Sequence, residues 1–213
     1  VAGSAGEGCV IPRAEYLKAL ETAVETVENK GIVVACISGL SYEDIQLNVK
    51  TAVSVGADAV LSVQPFYYPL NQEQIKDFFN KLADYSELPV MIYNMPQVTK
   101  VNIDSNTIRA LSNHENIVGV KDSSGNIAGF QQIIYHTKNC KFRTFIGRAP
   151  LIATALLLGA SGTMTPIGNL HPEMEMMIYK AIQDDDMEKA LAVQNKICEI
   201  VKLFNYEGIV VLY

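Results

Sequence analysis

Several common functions are excluded by what this sequence has little of. Its four cysteines, Cys9, Cys36, Cys140 and Cys198, lie far apart and form no Cys-x-x-Cys pair. That spacing excludes a zinc knuckle and reads as reduced thiols of a cytoplasmic protein rather than a disulfide frame. The three histidines, His114, His136 and His171, are equally scattered, so no histidine-based metal centre is expected. Basic residues are outnumbered, 17 Lys and Arg against 23 Asp and Glu, for a net charge of -6. With no basic stripe, nucleic acid is not an expected partner. No apolar run approaches the roughly 18 residues of a membrane span. A Gly-x-Gly-x-x-Gly turn, the mark of a dinucleotide-binding doubly wound sheet, is also missing.

What is present is a regular rhythm in a well-packed composition, 49% hydrophobic and 19% charged over 213 residues. Apolar strand-like runs start near residues 32, 58, 89, 117, 142 and 162. They are continuously apolar rather than alternating, which fits strands buried on both faces of a parallel sheet. Helical stretches separate them. Ser41 with Asp44, and Asn71 before "QEQIKDFFNKLADY", read as helix N-caps. "DDD" at 184–186 reads as an acidic helix start and "GASG" at 159–162 as close helix–strand packing. The last helix carries Met187, Ala190, Leu191, Ile197, Cys198, Val201 and Phe204 as one apolar stripe.

This βα repeat predicts an α/β fold of the (β/α)8 TIM-barrel type. Counting Val1-Ala2 as a strand tail gives seven strands where a barrel needs eight. Both ends of the sequence read as interrupted, so the first βα unit and part of the C-terminal helices are expected to lie outside it. The expected division is a barrel over residues 1–183, from the end of its second strand onward, and an incomplete helical extension over 184–213.

In such barrels active sites form at the C-terminal ends of the strands. The residues expected there are the loop Gly3–Gly8, Phe66 to Tyr68, Tyr93 and Asn94, Lys121, Gly147 and Arg148. Lys121 stands out because an apolar run, "IVGV", delivers it directly to the rim. An amine desolvated at a barrel mouth can attack a ketone and form an imine, which then acts as an electron sink. That chemistry needs a proton shuttle, for which Tyr93 is the candidate, and an anion cradle, for which the glycine loop is suited.

"GSAGE", "YNMP" and "VGVKDSSGN", in that order, followed by "LLLGASGTMT" and "GNLHP", resemble the dihydrodipicolinate synthase / N-acetylneuraminate lyase family. The resemblance runs over essentially the whole chain. It implies a class I aldolase or lyase acting on pyruvate and an aldehyde, through a covalent imine with no metal and no organic cofactor. Lys121 matches the imine-forming lysine and Tyr93 the proton-relaying tyrosine. Ser4 matches the first hydroxyl of the carboxylate-binding loop. Ala5 stands where the family usually has a second threonine, keeping the N–H but losing a hydroxyl. Tyr67 matches an aromatic that in many members enters a neighbouring subunit's site, so a homo-oligomer, a dimer or tetramer, is implied.

The departures from the family pattern bear on the substrate. Val98 stands where the synthases carry an arginine for the second substrate's carboxylate, and it cannot make that charge-assisted pair. A 2-keto-3-deoxy sugar acid or N-acetylneuraminate-like substrate is therefore favoured, with Arg148 beside Gly147 as a candidate for its distal groups. The alternatives are a dihydrodipicolinate synthase, a dehydratase on the same imine, or a non-catalytic 2-oxo-acid-binding barrel.

Overall fold

The computed structural model describes residues 1–28 and 30–202. Phe204 of the expected stripe and the apolar run at 208–213 lie outside the described residues. The six strands are β1 (Val34–Cys36), β2 (Ala59–Ser62), β3 (Val90–Asn94), β4 (Ile117–Asp122), β5 (Arg143–Ile146) and β6 (Gly162–Thr163). All pair in parallel and in strict chain order, β1 to β6. A doubly wound sheet reverses its order at a switch point; this one does not, and it curls into a half-barrel. The expected strand tail is reduced to one residue. The Val1 nitrogen donates to Val34 O at 2.7 Å, and Val1 O accepts from Cys36 N at 3.0 Å, a single parallel bridge on the outer edge of β1.

Helices α1 (Arg13–Val27), α2 (Tyr42–Val55), α3 (Gln72–Tyr85), α4 (Pro96–Thr99), α5 (Ser105–Leu111), α6 (Ile127–Thr137), α7 (Ile152–Leu157), α8 (Ile167–Leu170), α9 (Pro172–Gln183) and α10 (Met187–Val201) fill the intervals. Their starts follow local chemistry. Ser41 Oγ accepts from Asp44 N, and Asn71 forms a full capping box with Gln74, satisfying N–H groups that have no partner within the helix. Asp186 caps α10 through Lys189 N. Two one-turn helices, α4 and α8, went unforeseen; four residues carry no readable periodicity.

Strand alternation sorts the core. The outer face, with Val60, Ile92, Ile117 and Val120, packs on Ile45, Ile75, Phe79 and Leu82 of α2 and α3. The inner face holds a smaller cluster of Leu61, Val63, Met91 and Tyr93, with Phe145 and Met164 against it. At the chain's far end, Phe130, Ile146, Ile152, Ile178 and Ile197 make a third cluster. Here the predicted stripe of α10 is corrected. Val193 and Gln194 are buried, whereas Leu191 is 55% exposed, because 190, 193, 194 and 197 share a helical face and 191 lies off it. Gln194 ties this helix to the start of α7 and the turn before it: its Oε1 accepts from Ala153 N at 2.8 Å, and its Nε2 donates to Ala149 O at 3.0 Å. Glu175 on α9 accepts from the hydroxyls of Thr163 and Thr165 and so holds the short β6. A Cβ at Gly162 would lie 3.2 Å from the Phe145 ring on the neighbouring strand β5, so this end of "GASG" is small for a strand–strand contact rather than the helix–strand packing expected.

Candidate active site

Tyr93 and Lys121 are Cα partners on the adjacent strands β3 and β4. Residues in register on one pleat face point to the same side, and here that is the inner face. The Tyr93 ring is buried, and Lys121 Nζ lies 4.2 Å from its centroid. Among the described residues, none of the salt bridges involves Lys121. The amine therefore faces an aromatic surface rather than a carboxylate.

The loop after Val1 reaches this pair. Ser4 Oγ lies 3.3 Å from Tyr93 Oη and donates to Met95 Sδ at 3.1 Å. The loop winds as a single 3-10 turn over Ser4–Gly6, with Glu7 at φ 55° closing it. Its own turns use the N–H groups of Gly6, Glu7 and Gly8. Those of Ser4 and Ala5 donate to no backbone carbonyl among the described residues. Glu7 contributes backbone rather than side chain: its carbonyl accepts from Val10 N and Ile11 N.

Gly147 follows β5 and lies directly against the lysine. Its N–H donates to Asp122 O at 2.7 Å. A Cβ here would fall on Ser123 Oγ and within 3.0 Å of Lys121 Cε, so only glycine leaves the lysine its room. Ser123 is thus a site residue that sequence reasoning passed over; its place two positions after Lys121, on the same pleat face, was the available signal. Gly147→Ala is expected to cost about 1–3 kcal/mol through overpacking, which thermal melting checks.

The remaining expected residues lie further out. Arg148 is exposed, and its Nε would be 3.7 Å from a Cβ on Gly125, so the loops after β4 and β5 touch. Lys100 folds back to donate to Gln97 O, and Val98 is exposed. Tyr67 is 75% exposed and packs edge-to-face on Tyr68 at 4.9 Å between ring centroids. No group of three or more His, Cys, Asp or Glu that could hold a metal ion occurs among the described residues. Nor, among them, is any helix long and apolar enough to cross a membrane.

Known proteins share this fold. The model of the dihydrodipicolinate synthetase family matches residues 1–212. A 4-hydroxy-tetrahydrodipicolinate synthase of Methanosphaerula palustris is 30% identical over 94% of this chain and 68% of its own. Among solved structures, a 2-keto 3-deoxygluconate aldolase from Picrophilus torridus superposes with a TM-score of 0.88 at 27% identity, over 97% of this chain and 74% of that one. A prophage protein of Escherichia coli K12 from the dihydrodipicolinic acid synthase family, in complex with pyruvate, gives 0.91 at 25% identity, over 97% and 70%. The chain thus spans about two thirds to three quarters of the relatives' lengths. With a lysine and a tyrosine on adjacent strand ends, a glycine loop over them and a family match along its length, this chain belongs to the dihydrodipicolinate synthetase family.

Proposed function

We propose that Lys121 carries the imine of a pyruvate-dependent class I aldolase and that Tyr93 moves its protons. The family's enzymes are carbon–carbon lyases that hold pyruvate as a Schiff base on a lysine and use no external cofactor. The observation that carries the residue assignment is the placement of Lys121 Nζ over the Tyr93 ring, on neighbouring strand ends.

The chemistry runs in balanced steps. The amine attacks C2 of pyruvate and water leaves, giving a protonated imine. The imine draws electrons from C3, which loses a proton and becomes an enamine. C3 then bonds to the carbonyl carbon of an aldehyde, whose oxygen takes up a proton. Hydrolysis frees the lysine, and the reverse sequence is cleavage. Tyr93 Oη, paired with Ser4 Oγ, is the group within reach of these protons. The free N–H groups of Ser4 and Ala5 are assigned to the pyruvate carboxylate. Gly147 keeps the space beside Lys121 open.

The rest of the assignment follows the resemblance. The half-barrel is read as part of a closed (β/α)8 barrel, supported by its close superposition on longer relatives. The exposed Tyr67–Tyr68 pair supports a homo-oligomer in which Tyr67 meets a second copy. Four free thiols support a reducing, cytoplasmic location. For the aldehyde, Val98 favours a polyhydroxylated partner with Arg148 near its distal end. The synthase reading keeps support from the 30% identical relative.

Incubating the full-length protein with pyruvate and borohydride tests the mechanism. Reduction of the imine is expected to leave a pyruvate-derived adduct that peptide mapping assigns to Lys121. An unmodified Lys121 in excess pyruvate would overturn the reading. Pyruvate consumption with a polyhydroxylated aldehyde, against one bearing a carboxylate, then separates aldolase from synthase.

A further inference from the structure

The strand pair that carries Tyr93 and Lys121 is not regular. Val90 pairs with Ile117, but Met91 pairs with Gly119, so one extra residue, Val118, is bulged out of β4. Had the first register continued, Tyr93 would face Val120 and Asn94 would face Lys121. The alternation would be reset as well. Ile117 and Val120 pack on the outer core while Val118 packs on the inner cluster, an order that a two-residue period cannot give without the bulge. Without it, Lys121 would point outward into the helix layer. Gly119 permits the bulge: a Cβ there would lie 2.6 Å from Arg143 O on β5.

A bulge costs a ladder contact, so something must favour the shifted register. The next pair after Tyr93 and Lys121 is Asn94 and Asp122, pointing to the outer face. Each is 1% exposed. Asn94 Nδ2 donates to Asp122 Oδ2 at 2.6 Å and to Asn102 Oδ1 at 3.0 Å, and Asn94 Oδ1 accepts from Ile103 N at 3.1 Å. Asp122 Oδ1 accepts from Ser124 N at 3.0 Å and Ser124 Oγ at 2.6 Å. Backbone bonds Ser123 N to Asn94 O and Gly147 N to Asp122 O complete the junction. Burial pushes the Asp122 carboxyl up, and the bonds from Ser124 and Asn94 pull it back. In the unbulged register Asn94 would lie opposite Lys121, and the two buried polar side chains would lose the bond between them.

We propose that Asn94 and Asp122 are positioning residues that select the bulged register of β3 and β4 and thereby aim Lys121 at Tyr93. This rests on the imine reading of Lys121. The brace acts behind the sheet, touches no substrate, and extends the ladder at the point where the loops diverge.

The test compares Asn94→Asp, Asp122→Asn and the exchanged double variant, with pyruvate trapping on Lys121 as the readout. Each single substitution spoils the pair: Asn94→Asp sets two carboxylates face to face, and Asp122→Asn leaves one oxygen to serve both Asn94 Nδ2 and Ser124. It is expected to lower the trapping rate at saturating pyruvate by on the order of 10²-fold, with the half-saturating concentration changed less than about threefold. The exchange restores one donor and one acceptor across the pair and is expected to recover the rate to within about tenfold of the parent. Where a single variant fails to fold by circular dichroism, the folded exchange variant decides alone. Folded single variants that trap at the parent rate, or an exchange variant no faster than the singles, would overturn the brace. A parent protein that traps no pyruvate would overturn the imine reading, and the inference with it, so the two failures are distinguishable.

Discussion

Lys121→Ala is expected to abolish the covalent adduct and to reduce turnover by on the order of 10⁴-fold or more, the scale on which removal of a covalent nucleophile acts. The substitution removes the amine proposed to form the imine, and no lysine lies on β3 or β5 to take its place. Stability should move little. The alanine loses a cation–aromatic contact worth about 0.5–2 kcal/mol from a side chain that is only partly buried. Turnover and thermal melting, measured on the same preparation, check both statements. A protein that melts as the parent does yet still converts substrate would exclude Lys121 as the nucleophile.

Tyr93→Phe is expected to separate binding from proton transfer. The ring stays, so its packing against Leu61, Val63 and Met91 and its contact with Lys121 Nζ remain. Only the hydroxyl that pairs with Ser4 Oγ is lost. General acid–base groups contribute about 10²–10⁴-fold, and a loss of that size in turnover is predicted. Borohydride should still trap pyruvate on Lys121, more slowly, because the amine is intact. Hydrogen–deuterium exchange at C3 of pyruvate isolates the step: exchange at the parent rate would remove Tyr93 from the proton path.

Much of this molecule is legible in its sequence, and the illegible parts have physical causes. The strands could be found because a parallel sheet buried on both faces demands unbroken apolar runs, as in "DAVLSV" and "PVMIY". Ser41 and Asn71 could be found because capping is local chemistry. Tyr93, Lys121 and Ser4 could be listed as strand-end residues, and the structure brings these three together. Their mutual distances could not be read, because the Val118 bulge, whose one trace in the run "IVGVK" is Gly119, decides which way Lys121 points. Leu191 misled because a helical stripe tolerates one apolar neighbour off its axis. Ser123 escaped because a serine in a serine–glycine loop reads as a turn residue.

The strict chain order of the sheet has a further consequence. Every strand rests on the units immediately before and after it, and among the described residues no strand pairing reaches further than one βα step. Each step ends in a loop at the same rim. Such an arrangement is modular: the loop after β2 or β5 can change length and chemistry while the central strands keep their lysine and tyrosine opposed. A scaffold of this kind can drift from one aldehyde to another without relearning how to hold pyruvate.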